Sequence, residues 1–430
     1  MQPDGLRVLM LTPDFPYLDR RIAQEAGTLA RQGHEVEIAP VFGDLLVDPM
    51  ELFPGVTIRA RPAGLVARRS APYRAARWFY RTMRDRLRWH RIASATYRLG
   101  ANVQSLFGEV SVTLANANLE PLLQGARHDV VFAHDIPVLP LAVKLKEAWG
   151  ATLVCDLHEI YPEQDEVGMS HRTKEFWRRI EAEFLPVADG ILCVNPAVET
   201  YVRARYPIRG PLGVVYNSVP FYTPRSGPSW ELHDLYGIEH GRQILVYAGT
   251  LRRNASLEVL VSGFVKAAVP DWVLVLLGTG ELESELRERV TRHSASDRVF
   301  LGKRVAPSEL VRVLSSARAG VLPYEALGFN HEIATPNKLF EYIEARLPIA
   351  TSRLPQVKKI VEKLGNAAFV EFTSVDAAAA GIASFLLDRV NTIGPRELES
   401  AAREVCWERD ETTVLRVFHE SMAARFAPPT

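Results

Sequence analysis

Thr335-Pro336-Asn337-Lys338-Leu339-Phe340-Glu341-Tyr342-Ile343-Glu344-Ala345-Arg346-Leu347-Pro348-Ile349-Ala350 decides how this chain is read. Threonine at the N-cap followed by proline at the first helical position predicts a helix start at Thr335–Pro336. The helix should run about three turns before a short strand over 347–351. At the mouth of a parallel sheet, such an N-terminus offers free N–H groups and the positive end of a dipole, which suits a phosphate. Lys338 adds a full charge in the first turn, and Glu341 can accept hydrogen bonds from sugar hydroxyls. The pair points to a nucleotide diphosphate that carries a sugar.

Outward from this stretch, short β-branched runs alternate with longer amphipathic segments, the pattern of parallel sheets covered by helices. Strands are predicted near 6–12, 35–42, 56–61, 129–134, 152–157, 190–195 and 212–217, then near 243–249, 272–278, 298–302, 319–323, 347–351 and 367–372. Seven strands and then six exceed one ordinary sheet, so two Rossmann-like domains are expected. The turn-rich run Pro220-Phe221-Tyr222-Thr223-Pro224-Arg225-Ser226-Gly227-Pro228-Ser229 marks the break. Domains of 1–220 and 221–395 follow, with 396–430 as helices packing back on the first. In the first helix Ile22, Ala26, Leu29 and Ala30 mark the buried face.

Composition excludes several classes. The 430 residues carry no formal net charge, so no global field draws the chain to nucleic acid. Cys155, Cys193 and Cys406 are scattered, which is neither a disulfide framework nor a metal cluster. The N-terminus enters an apolar strand at once without the pattern of a signal peptide, and no apolar run reaches the roughly 18 residues that span a bilayer. A cytoplasmic protein is the expectation, and 42 arginines against nine lysines suggest a GC-rich bacterial genome. Twelve of those arginines lie between Arg59 and Arg98 with a single acid, Asp85, among six aromatic residues. That segment reads first as a solvated surface helix; the alternative is a weak contact with an anionic membrane at the inner face.

The second half resembles the donor-binding domain of GT-B glycosyltransferases, specifically the large retaining family 4. The carriers are Leu245-Val246-Tyr247-Ala248-Gly249-Thr250-Leu251, Val273-Leu274-Val275-Leu276-Leu277-Gly278-Thr279-Gly280, Val299-Phe300-Leu301-Gly302 and the 336–348 segment. In the first half Asp19-Arg20-Arg21-Ile22, Glu25-Ala26, Gly33-His34-Glu35-Val36, His134-Asp135 and Asp156-Leu157-His158-Glu159-Ile160-Tyr161 are similar to a subgroup of these enzymes. The resemblance implies an α/β fold with two Rossmann-like domains facing a central cleft and C-terminal helices crossing back. It also implies that Glu341 binds the ribose, and that Gly249, Gly278, Thr335, Asn337, Lys338 and Leu339 frame the donor.

Two departures from the family pattern matter. The family's donor-sugar acid falls on Ile333, so Glu332 beside it is the candidate replacement. The arginine and lysine that neutralise the departing diphosphate fall on Thr250 and Ala255, which leaves Arg252, Arg253 and Lys338 to compensate. On the acceptor side His134 is the implied functional histidine, with Asp135 orienting its ring. His158, Glu159, Asp14 and Asp19 are expected to line the acceptor pocket, whose acceptor could be a sugar, a lipid-linked intermediate or a small molecule. The reading is a retaining hexosyltransferase without cofactor or metal, using front-face attack assisted by the leaving phosphate. Its rivals are a nucleotide-sugar epimerase on the same fold and an inactive nucleotide-sugar-binding partner subunit.

Overall fold

The computed structural model describes residues 5–13, 19–41, 50–59, 112, 115–116, 122–125, 127–164, 171–224, 227, 229–324, 326 and 328–426. Asp14 lies outside the described residues, as does the arginine-rich segment beyond Arg59. Arg59 itself is buried, and its Nε donates to Glu37 Oε1 at 2.8 Å.

The chain forms two compact units, Met1–Val215 with Glu411–Thr430 and Tyr216–Asp410. The expected break at 220 thus falls a few residues early, just after a strand. The expected single block of tail helices is divided. Its first helix, Pro395–Glu404, stays with the second unit because Ala401 and Ala402 complete an apolar core there. Only the residues from Glu411 onward belong to the first unit.

The first unit is built on β1 (Arg7–Thr12), β2 (Glu35–Pro40), β3 (Met50–Phe53), β4 (Val56–Ile58), β5 (Val130–His134), β6 (Thr152–Leu157), β7 (Gly190–Cys193) and β8 (Leu212–Val214). They lie in the order β3-β4-β2-β1-β5-β6-β7-β8. All pairings are parallel except β3 with β4, the hairpin over Pro54-Gly55 that the strand reading missed. The central runs are apolar on both faces, as helices covering both sides of a parallel sheet require: Val8, Leu9, Met10, Leu11, Val131 and Phe132 are fully buried. Helix α1 (Arg20–Arg31) starts at Asp19, whose carboxylate accepts the Arg21 N–H at 2.8 Å.

The second unit holds β9 (Gln243–Ala248), β10 (Trp272–Leu277), β11 (Val299–Gly302), β12 (Ala319–Leu322), β13 (Ile349–Thr351) and β14 (Ala367–Phe369). Their order is β11-β10-β9-β12-β13-β14, all parallel. The order reverses between β9 and β12, and in the first sheet between β1 and β5. Open α/β sheets bind ligands beyond the carboxyl ends of their strands at such reversals. Among the described residues no helix is long and apolar enough to cross a membrane.

Candidate active site

In the second unit the reversal point is walled by backbone. β9 is followed directly by Gly249 and β10 by Gly278, each with positive φ, 139° and 152°. The Gly249 N–H donates to Leu277 O at 2.8 Å, drawing the two strand ends together. A Cβ on Gly278 would lie 1.9 Å from Gly249 O, and one on Gly249 would lie 2.3 Å from Lys338 Cε. Both positions therefore need glycine, the first for the strand end and the second for the lysine.

Lys338 stands in the first turn of helix α2 (Asn337–Glu344). Its Nζ donates to Tyr324 Oη at 2.6 Å and lies 5.2 Å from the ring centroids of both Tyr247 and Tyr324. The ammonium is half-buried between two aromatic faces, not at the open helix start the sequence suggested. The helix start is also displaced by one residue: Pro336 holds the N-cap position, with no side-chain cap, and Thr335 is buried before it. Glu341, one turn on, is 7% exposed and faces the lysine's field. Leu339 is wholly core, so only its backbone can serve a ligand. Asn337 is exposed and accepts from Asn217 Nδ2 at 2.9 Å.

Arg252 is exposed and close enough to act on the Tyr247 hydroxyl, whereas Arg253 pairs with Glu285. Arg253 is thus drawn to a surface helix and away from the compensating role expected of it. Glu332 ends the short helix Phe329–Glu332 and is exposed, next to buried Ile333.

In the first unit a buried charge cluster collects at the ends of β5 and β6. The parallel register sets His134 opposite Asp156. Asp156 Oδ2 lies 3.2 Å from His134 Nδ1 and 2.7 Å from His158 Nε2. Its Oδ1 receives Arg21 Nη2, while Arg21 Nε donates to Glu25 Oε1 at 3.0 Å and Nη1 to Val215 O at 2.6 Å. The expected pairing of Asp135 with the His134 ring does not form. Asp135 has φ 65°, so its carboxylate turns to accept the His158 N–H at 2.8 Å, and Asp156 orients His134 instead. Glu159 accepts from Gln164, and Asp19 serves α1 as its cap.

The electrostatics follow from this packing. Burial opposes charge on Asp156, but Arg21 and His158 outweigh it and hold the carboxyl well below the usual range. Burial also opposes charge on His158, yet the Asp135 and Asp156 carboxylates push it up to about 10. Burial, helped by Asp156, raises Glu25 to about 8, and burial raises Asp135 to about 7. His134 goes the other way: burial lowers it despite Asp156, favouring the neutral ring. With Asp156 against Nδ1, that ring carries its hydrogen on Nδ1 and its lone pair on Nε2, which has no hydrogen-bond partner among the described residues.

His134, Asp156 and His158 also bring one ligand-type atom each within 4.8 Å of one another. The Arg21 guanidinium on the same carboxylate and a protonated His158 balance its charge, so the trio reads as a hydrogen-bond cluster. Folded His158 holds its proton up to about 10, against roughly 6.5 when unfolded, so the stability it contributes is complete below about pH 6.5 and lost as pH rises toward 10. The urea midpoint of His158→Gln should therefore trail the wild type most at pH 6 and converge on it only above about pH 10; a gap independent of pH would show that no proton is held there.

Glycosyl transferases group 1 is the family description matching residues 228–405, and a glycosyl transferase 4-like domain matches residues 18–218. The chain belongs to the group 1 GT-B glycosyltransferases.

Solved structures of similar fold agree with that membership. Sucrose-phosphate synthase from Thermosynechococcus elongatus superposes with TM-score 0.67 at 14% identity, over 97% of this chain and 100% of that one. Anabaena HepE in complex with UDP gives 0.63 at 13% identity over 98% and 100%. The pneumococcal O-GlcNAc transferase GtfA, solved with UDP and GlcNAc, gives 0.54 at 15% identity over 71% and 60%. No curated protein matches in sequence. For a group 1 glycosyltransferase, sequence reading missed Tyr324 beside Lys338, and it quoted Tyr247, Arg21, Glu25 and Asp156 only as motif residues without a role in the site. The i, i+4 spacing of Arg21 and Glu25 was the one local signal for the cluster around His134.

Proposed function

We propose that this glycosyltransferase moves a hexose from a nucleotide diphosphate sugar to an acceptor hydroxyl with retention of anomeric configuration, and without a metal. The observation that carries the reading is the Lys338 ammonium lodged against Gly249 at the reversal point of the second sheet, with Glu341 one turn along the same helix. Glu341 would take the ribose hydroxyls. Lys338 and the first-turn N–H groups of α2 would take the charge that develops on the departing diphosphate, with exposed Arg252 within reach. Glu332, exposed beside Ile333, is the carboxylate available to the donor sugar. His134, presenting the Nε2 lone pair, would serve the acceptor side, with the Asp135 and His158 carboxylate–imidazole pair and Glu159 beside it. Similar structures bind UDP and, for HepE, UDP-glucose, so UDP is the first nucleotide to try.

Glu341→Ala is expected to weaken UDP binding at least tenfold, the loss of a hydrogen bond to a charged acceptor at roughly 1.5–3 kcal/mol, with the fold intact by circular dichroism. Unchanged affinity in a calorimetric titration would remove Glu341 from the ribose role. Transfer measured in excess EDTA should proceed at the untreated rate, and the anomeric carbon of the product should keep the donor's configuration by NMR. A strict need for magnesium or manganese, or an inverted product, would contradict the mechanism.

A further inference from the structure

Lys338 is the cation that reaches Gly249, just past β9. Tyr247 and Tyr324 flank it and Tyr342 stands one turn along α2, and the three hydroxyls differ in what they have left to give. The Tyr247 hydroxyl donates to Thr250 O at 3.1 Å. The Tyr342 hydroxyl accepts the Ala248 N–H at 2.8 Å and lies 3.4 Å from Val321 O. Tyr324 alone is otherwise placed. Its oxygen accepts from Lys338 Nζ, because an ammonium has donors only, so the phenol's own hydrogen must point elsewhere. Among the described residues no acceptor takes it.

Tyr324 follows β12 by two residues, and Lys338 reaches Gly249 just past the end of β9, so the phenol sits at the reversal point where a ligand would lie. A hydroxyl already accepting from an ammonium is a polarised donor, and its fitting acceptor is an anionic oxygen. We infer that Tyr324 is a second, direct donor to the diphosphate of the donor nucleotide, acting beside Lys338. The inference rests on the donor-site reading proposed above and adds the residue that completes it.

Tyr324→Phe keeps the ring beneath the ammonium and removes only the hydroxyl, so folding is expected to be unchanged. The nucleoside diphosphate that binds the wild type among UDP, GDP, ADP, CDP and TDP is titrated by calorimetry, with its nucleoside as control. Tyr324→Phe should weaken the diphosphate about tenfold and leave the nucleoside unchanged. A donor that touches phosphate itself must also act without the lysine. In the Lys338→Met background the same substitution should therefore still cost several-fold. No further loss in that background would make Tyr324 a mere support for Lys338 and overturn the inference, as would equal diphosphate affinity of Tyr324→Phe and wild type. Absence of binding by all five diphosphates would overturn the donor-site reading along with it.

Discussion

Arg21→Met is expected to be the most destabilising single change in the first unit. The guanidinium is fully buried and links Asp156, Glu25 and the Val215 carbonyl. Methionine fills much of the volume but leaves the Asp156 carboxylate facing His134 and His158 alone. Removing one partner of a buried ion pair costs about 3–5 kcal/mol because the other charge remains desolvated. For a unit of about 200 residues that lowers the melting temperature by on the order of 10 °C or more. Arg21→Lys should recover only part of the loss, since an ammonium cannot fork between two carboxylates and a carbonyl. A melting temperature within about 2 °C of wild type for Arg21→Met would show that the cluster is balanced without its arginine.

Lys338→Met should have the largest effect on turnover. The aliphatic stem is kept, so packing beneath Tyr247 and Tyr324 survives and stability should change by less than about 1 kcal/mol. The charge is lost where negative charge develops on the leaving diphosphate. Deleting one preorganised donor of that kind costs about 100- to 1000-fold in kcat. Steady-state assays across donor concentrations should show the fall in kcat with the folded fraction unchanged. An unaltered kcat would place the diphosphate on Arg252 and backbone N–H groups instead.

The parallel strands were legible in the sequence because most are short apolar runs between turn residues, and the central ones are buried on both faces. β3 was not: Met50-Glu51-Leu52-Phe53 is too short to show an alternation, and only Pro54-Gly55 announced the hairpin. Helix α2 was legible through its proline and its pattern, and Lys338 and Glu341 were found there by their positions in it. Their setting was not, since Tyr247 and Tyr324 arrive from two other strand ends and nothing local shows that the ammonium lies between them. The histidine cluster divides in the same way. His134 and His158 stand at strand ends and invited attention. Arg21 and Glu25 sit beside the apolar stripe of α1, where charged residues ordinarily face water, and only Asp156, 135 residues further along the chain, accounts for their burial. Adjacency along the chain suggested Asp135 as the partner of His134, whereas the cross-strand register selects Asp156.

The central claim is that the second unit seats a nucleoside diphosphate against Lys338 and Glu341. A thermal-shift panel of UDP, GDP, ADP, CDP and TDP on the wild type and Glu341→Ala tests it most directly. One diphosphate, expected to be UDP, should stabilise the wild type by about 2.7 kcal/mol at 100 times its dissociation constant, and Glu341→Ala distinctly less at the same concentration. No stabilisation by any of the five, or equal stabilisation of both proteins, would contradict the account.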